Sequence, residues 1–175
     1  MPVASQFLSY LQDQLDFFDR LESTVIEKLN IRPDLNQSAR GWNVKRVIEN
    51  AGYDNKLDKS GGSIIEAIKA SRICICTSNS TVFLQTLAMN FPTVVFWDNN
   101  HNEISPDAQH HIDLLVEAKI LFFNPIEAAI HVNETISNVS NWWFSHDVQV
   151  ARELFCKRYA FNSPDWADGW VRFLK

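Results

Sequence analysis

The chain has 175 residues, 46% hydrophobic and 21% charged, and a formal net charge of −5. That is enough apolar material for one ordinary core and too little for two, and the low-hydrophobicity, high-charge signature of a disordered chain is absent. With 16 basic against 21 acidic residues, the chain lacks the footprint of a protein that neutralises many phosphates, so no nucleic-acid polymer is expected as a partner.

Only 5 glycines occur, against a usual share of about 7%, and neither G-x-G-x-x-G nor G-x-x-x-x-G-K-[ST] can be written. A dinucleotide-type Rossmann site and a P-loop are therefore poor fits. No apolar run reaches the roughly 18 to 20 residues of a membrane span, and no basic segment followed by an apolar stretch opens the chain. The expected location is cytoplasmic, free or peripheral to the inner face of a membrane. Cys74 and Cys76 lie in an apolar strand-like run, as buried free thiols do, and Cys156 stands apart. No Cys or His completes a zinc-like spacing with them, and His110-His111 is too isolated, so no metal is expected.

Phe7, Leu8, Leu11, Leu15, Phe18 and Leu21 recur at helical spacing and predict an amphipathic helix from about 4 to 21. Leu29 to Arg32 reads as a short strand stopped by Pro33. The stretch from Asp34 to Trp42 is polar and loop-like. Asn43 can cap a helix ending at Ala51, with Gly52 as its stop, and a shorter helix spans about Ser63 to Ala70.

Ile73 to Cys76 is an apolar run too short for a helix and reads as a buried strand of the parallel type. After the polar turn Thr77 to Ser80, a helical face is marked by Phe83, Leu84, Leu87, Ala88 and Phe91, and Thr93 to Trp97 supplies the next strand. This is a βαβ unit. The alternation continues with a helix from Pro106 to Ala118, a strand at Ile120 to Phe122 and a helix opening at Pro125. From about Trp142 onward only helices are predicted, near Asp147 to Phe161 and near Pro164 to Leu174. The expected architecture is one α/β domain over 1–175: a Rossmann-like parallel sheet of about four strands, flanking helices and a helical C-terminal extension over about 142–175.

In an open α/β sheet, ligands bind beyond the carboxyl ends of the strands, where loops enter helix N-termini. The matching loop here is Thr77-Ser78-Asn79-Ser80-Thr81, every residue a small hydroxyl or amide. Free helix N–H groups and the dipole make such a turn a candidate phosphate site, to which Ser78, Ser80 and Thr81 can add donors. Gln85, one turn past Thr81, leans back toward the same end and can reach a sugar. The competing reading is that Ser80 or Asn79 merely caps the helix and Gln85 is solvated.

Asp98, Glu103 and Asp107 surround the end of the strand at Thr93 to Trp97, where a carboxylate can orient a sugar or an acceptor hydroxyl. His101 is the one histidine there to consider for acid or base work. A polar loop with a helix N-terminal Asp107 explains the same residues. Tryptophans 142, 143, 166 and 170 crowd the C-terminal part together with Phe144, Phe155, Tyr159, Phe161 and Phe173. Packing of the extension onto the sheet accounts for them better than sugar stacking does.

The string from Thr77 to Asp98, T-S-N-S-T-V-F-L-Q-T-L-A-M-N-F-P-T-V-V-F-W-D, resembles the nucleotide-sugar-binding segment in the C-terminal half of GT-B glycosyltransferases. More closely, it is similar to transferases encoded in O-antigen and surface-polysaccharide gene clusters. Arg32 in I-R-P, Gly41-Trp42, Trp142-Trp143, F-C-K-R-Y-A and the terminal S-P-D-W and W-V-R-F-L-K segments share the resemblance. It implies that Ser78 to Thr81 hold a nucleotide-sugar diphosphate, with position 85 bonding the ribose. That position is typically glutamate in the family and is Gln85 here, a neutral acceptor worth about 1 kcal/mol less. Arg32 would be a cationic partner of the diphosphate, with Arg40 and Lys45 as weaker candidates. Its alternative is an ordinary salt bridge.

The residues and the resemblance together lead to the expectation of a nucleotide-sugar-binding half of a glycosyltransferase. No cofactor is expected beyond the donor itself, and the catalytic base would lie on an N-terminal Rossmann-like domain of the same protein or of another chain. Alone, the chain is expected to be inactive. The alternative is a non-catalytic α/β module that binds a nucleotide or a protein.

Overall fold

The structure is a computed structural model that describes residues 4–33, 43–160 and 165–174, apart from the side chains of Ala4 and Trp166. A 3-10 turn at Ala4–Gln6 leads into α1 (Phe7–Arg20), followed by α2 (Ser23–Ile26), α3 (Val44–Asn50) and α4 (Ile64–Lys69). Then come β1 (Cys74–Cys76), α5 (Thr81–Ala88), β2 (Thr93–Phe96), α6 (Pro106–Glu117) and β3 (Leu121–Phe122). The chain finishes with α7 (Pro125–Thr135), α8 (Val139–Trp143), α9 (His146–Tyr159) and α10 (Trp166–Phe173).

The three strands form one parallel sheet in the order β1-β2-β3, with Cys74 opposite Thr93 and Val95 opposite Leu121. The expected count of about four strands is not met among the described residues. Ile31 makes only an isolated parallel bridge to Leu57, in which its N–H donates to the Lys56 carbonyl and its carbonyl accepts from the Asp58 N–H. Pro33, two residues on, has no N–H with which to extend a ladder.

Strand β2 is buried along its whole length, and its alternation sorts the core into two halves. Val94 and Phe96 face a layer built from α1, α3 and α7, with Phe17, Phe18, Ile48, Ala128 and Val132 packed against them. Val95 and Trp97 face α5, α6 and α9, through Phe83, Leu87, Leu115 and Phe155. The result is helices on both faces of a parallel sheet. Phe17 stacks on Phe96 at 4.9 Å, which seats α1 on the sheet. Leu8, expected on the apolar face of that helix, is 76% exposed instead. It sits one residue off the Phe7–Leu11 stripe that does the packing.

Glycine scarcity shows in the helix ends. After α3, Gly52 takes a positive φ of 87°, the usual left-handed stop. After α5 and α6 the same position is filled by Asn90 (φ 52°) and Lys119 (φ 58°). Both ends close with the paired bonds of a Schellman motif. Phe91 N–H reaches the Thr86 carbonyl and Asn90 N–H reaches Leu87; Ile120 N–H reaches Leu115 and Lys119 N–H reaches Val116.

Asn90 has a second function. Its Oδ1 accepts from Trp143 Nε1 at 2.9 Å and from Gln149 Nε2 at 3.2 Å, while its Nδ2 donates to Gln149 Oε1 at 3.1 Å. Arg152 extends the network by donating to Gln149 Oε1 and to the Leu87 carbonyl. This ties α8 and α9 to the end of α5. Trp143 is fully buried, and Trp142 donates its indole N–H to the Ala118 carbonyl at 3.2 Å, so this tryptophan pair packs, as expected. On α10 the outcome differs: Trp170 and Phe173 are exposed.

Candidate functional site

Because β1 and β2 run parallel, the segments leaving them, Thr77 to Ser80 and Trp97 to Asn102, emerge at one edge of the sheet. A cleft opens there. Thr77 and Ser78 form one wall and Trp97, Asp98, His101 and Asn102 another, while Tyr10 and Asp13 of α1 close it from the side. Tyr10, Asp13 and Phe17 share a face of α1 at helical spacing, so the Phe17–Phe96 stack holds the two polar residues over the strand ends.

Asp98 caps the 3-10 turn Asn99–His101, its Oδ1 accepting from the Asn100 N–H at 2.8 Å. Its Oδ2 lies 3.5 Å from His101 Nδ1. The Asp98 carbonyl accepts from Asn102 Nδ2 at 3.1 Å, which folds the loop back over the strand end. Tyr10 Oη and Thr77 Oγ1 are 2.9 Å apart and bridge α1 to the β1–α5 loop. The Asp13 carboxylate receives no hydrogen bond among the described residues. Burial, and after it the charges of Asp98 and Asp16, push its carboxyl above the usual range, with His101 acting in the opposite direction. Trp97 is 4% exposed, and its indole N–H is buried without an acceptor among the described residues.

Beside the cleft, Ser80 occupies the N-cap position of α5 with extended backbone, and its hydroxyl makes no capping bond. The plainer reading of Ser80, as a side-chain cap, is therefore not what the structure contains. Asn79, Thr81 and Gln85 are exposed on the same side of the sheet edge. Of the residues singled out in the sequence, Ser78, Asp98 and His101 meet in the cleft, and Asn79, Ser80, Thr81 and Gln85 follow at the adjoining helix start.

Arg32 lies elsewhere. Its guanidinium donates to Asp58 Oδ2 at 3.0 Å, to the Ser63 carbonyl and to the Gly62 carbonyl. The Asp58 carboxyl is held below the usual range chiefly by the Ser60 N–H and hydroxyl, with Arg32 adding a smaller share. Arg32 thus anchors the turn before α4 and is not among the residues that line the cleft. Lys45 is exposed and 3.7 Å from Glu49; Arg40 lies outside the described residues. Glu103 and Asp107 are exposed and do not line the cleft.

The enclosed part of the cleft measures about 20 Å³, room for one water molecule. It can grip one edge of a ligand, such as a pair of hydroxyls, and leaves the rest of that ligand outside.

The profile of the LIC12162 family transferases matches residues 1–174. The chain belongs to this transferase family. No curated protein and no solved structure gives a significant match. Among the described residues no helix is long and apolar enough to cross a membrane.

Sequence reasoning passed over Tyr10, Asp13, Trp97 and Asn102. For Asp13 a signal was present: a carboxylate four residues before the buried Phe17 and three after Tyr10, on the face of α1 that packs. Trp97 was counted only as the end of a buried strand.

Proposed function

We propose that this member of the transferase family binds a nucleotide-sugar donor at the carboxyl edge of its sheet, as one half of a GT-B-type glycosyltransferase in surface-polysaccharide synthesis. The observation that carries the reading is the adjacency of two unlike features. One is the start of α5, lined by Ser78, Asn79, Ser80 and Thr81, whose N–H groups and dipole favour a diphosphate. The other is the cleft holding Asp98 and Thr77, which offers acceptors to hydroxyl groups. Gln85, exposed one turn along α5, would bond the ribose. Arg32 is left out of the proposed contacts, because Asp58, Gly62 and Ser63 already take its donors.

Such a shallow cleft covers one side of a donor, and the proposal assigns the opposite wall, with the catalytic base, to a second α/β domain. Calorimetric titration of the chain with UDP-, GDP-, CMP- and dTDP-sugars tests the reading. One of these should release heat at up to millimolar concentration, and Ser80→Ala with Thr81→Ala should weaken it by roughly 1 to 3 kcal/mol. Silence with all four refutes the donor site, and unchanged affinity in the double variant refutes the diphosphate contact. In a transfer assay the chain alone should give no turnover; measurable transfer would overturn the assignment of the base to a second domain.

A further inference from the structure

Helix α10 is short, and its residues sort by face. Trp170, Phe173 and Leu174 are three and four positions apart and share one side, which Val171 borders. Asp168 and Arg172, also four apart, share the opposite side. The apolar side is the one in solvent: Trp170 is 58% exposed, Val171 52%, Phe173 80% and Leu174 75%. Phe173 meets the Trp170 ring edge-on, with centroids 5.9 Å apart, and no other described element packs broadly against the helix. A contiguous stripe of this kind marks a docking surface.

Gly169 is a second signal. A glycine inside a helix costs about 0.5 to 1 kcal/mol relative to alanine. Nothing lies within 4 Å of where its β-carbon would be, so no packing within this chain requires the glycine. Next to Trp170 it lowers the helix surface by one side chain, which lets a second helix approach closely.

Charge chooses the occupant. A surface of anionic lipid headgroups selects helices with a basic polar face, whereas here Asp168 offsets Arg172 and the whole chain carries −5. A second copy of the same helix is matched instead. The acid lies toward the start of α10 and the base toward its end, so an antiparallel pair centred on Trp170 sets Asp168 level with Arg172 of the other copy, twice over. A parallel pair sets like charges level and aligns the two helix dipoles. These charges sit on the outer sides, so they choose the orientation while the apolar face supplies the affinity. Wholly covered, the four apolar side chains of two copies bury on the order of 1,000 Å², the low end for a specific interface.

We propose that α10 is a self-association helix, whose Trp170, Phe173 and Leu174 face packs antiparallel against the same face of a second copy to form a weak two-fold dimer.

Sedimentation velocity of the full chain from about 10 μM to 1 mM tests this. The parent should pass from monomer to dimer within that range. Trp170→Ser should raise the dissociation constant about tenfold or more, with the thermal midpoint of the monomer unchanged because the side chain is largely in solvent. The exchange variant, Asp168→Arg with Arg172→Asp, keeps the antiparallel match with itself and loses it with the parent. It should dimerise alone, and native mass spectrometry of its mixture with isotope-labelled parent should find fewer mixed than like pairs.

A parent that stays monomeric to the top of the range overturns the proposal, as does a dimer that Trp170→Ser leaves intact. Statistical mixing, or a preference for mixed pairs, overturns the antiparallel assignment. Flotation with vesicles of equal phosphatidylcholine and phosphatidylglycerol supplies the competing outcome. Vesicle binding that Trp170→Ser abolishes, with no dimer in solution, assigns the face to a lipid surface and overturns the dimer.

Discussion

His131 offers a quantitative test of the core. It sits on α7, 4% exposed, wedged between the Phe122 ring at 5.4 Å and the Trp142 ring at 4.7 Å, and its Nε2 is buried without a partner among the described residues. Burial first, and the Lys119 charge second, lower its pKa from 6.5 to about 4. The sign comes from linkage. Between pH 6.5 and 4 the unfolded chain takes up a proton that the folded chain refuses, so stability falls as the pH falls through this window and the loss levels off below it. At 1.36 kcal/mol per pKa unit, the side chain should cost about 1.4 kcal/mol at pH 5.5 and about 3 kcal/mol at pH 4. His131→Phe keeps an aromatic ring between Phe122 and Trp142 and removes the titration. Urea unfolding of parent and variant at pH 7.5, 6.5, 5.5 and 4.5 measures the difference, in which the titration of every other group cancels to first order. The gap should widen in the variant's favour by more than 2 kcal/mol from the top of this range to the bottom. A gap constant to about 0.5 kcal/mol would show that His131 protonates freely in the folded chain, and the burial argument would fail.

Two further stability predictions use the left-handed helix ends. Asn90→Ala should destabilise by about 2 to 4 kcal/mol in denaturant unfolding, from the lost bonds to Trp143 and Gln149 and from a β-carbon at φ 52° without local compensation. Asn90→Gly, which relieves the backbone and loses only the amide, should recover roughly 1 kcal/mol of that; equal losses in the two variants would contradict the backbone share. Lys119→Gly should raise stability near neutral pH by a few tenths to about 1 kcal/mol. It should also move the His131 titration upward by removing one of its two causes, which histidine NMR would read.

The βαβ unit from β1 to β2 was legible because its signals are local. Thr93 to Trp97 is a continuous apolar run that only a doubly covered strand accommodates, and Pro92 and the polar loop at 77–80 bracket the helix between. Helix starts were equally legible: Asn43 accepts from the Arg46 N–H, and Ser63 forms a full capping box with Glu66. The helix stops after α5 and α6 were harder to read, since Asn90 and Lys119 occupy positions where glycine is the usual marker. The strand expected at Leu29 to Arg32 had the composition and lacked a partner: one bridge to Leu57 is all that forms. Pairing is a tertiary property that composition does not encode.

The same division runs through the site. Ser78 to Thr81, Gln85 and Asp98 were reachable by asking which loops follow parallel strands, because topology alone puts those loops together. Tyr10 and Asp13 were harder to reach: the spacing of Asp13 from Phe17 marks it as on the packed face, and nothing local says what it packs over. They lie 64 to 88 residues from Thr77 and Asp98 in the chain, and they arrive at the cleft because Phe17 stacks on Phe96. In a periodic apolar helix, a polar residue on the packed face is ambiguous until the neighbouring layer is known.

The charges at the sheet edge have a further consequence for the proposed function. A diphosphate at the start of α5 would lie beside a cleft bearing Asp13 and Asp98. At about 6 Å and an effective dielectric near 20, each pair of unit charges costs roughly 3 kcal/mol before screening. The partial charge of the helix start offsets typically 0.3 to 1 kcal/mol of that, up to about 2. No lysine or arginine lines the described cleft, and Arg32 is committed to Asp58 and two carbonyls. On the proposed function the balance calls for a cation from beyond the described cleft, which a second domain facing the sheet edge would supply. Donor binding by the chain alone should accordingly be weak and strengthen when the Asp13 charge is removed; burial already pushes that carboxyl above the usual range. Calorimetry at pH 7.5 checks this: affinity for the nucleoside diphosphate should be higher in Asp13→Asn, which removes the charge, than in the parent. Equal affinity in the two would mean that the diphosphate does not feel the cleft, and the adjacency on which the donor site rests would lose its force.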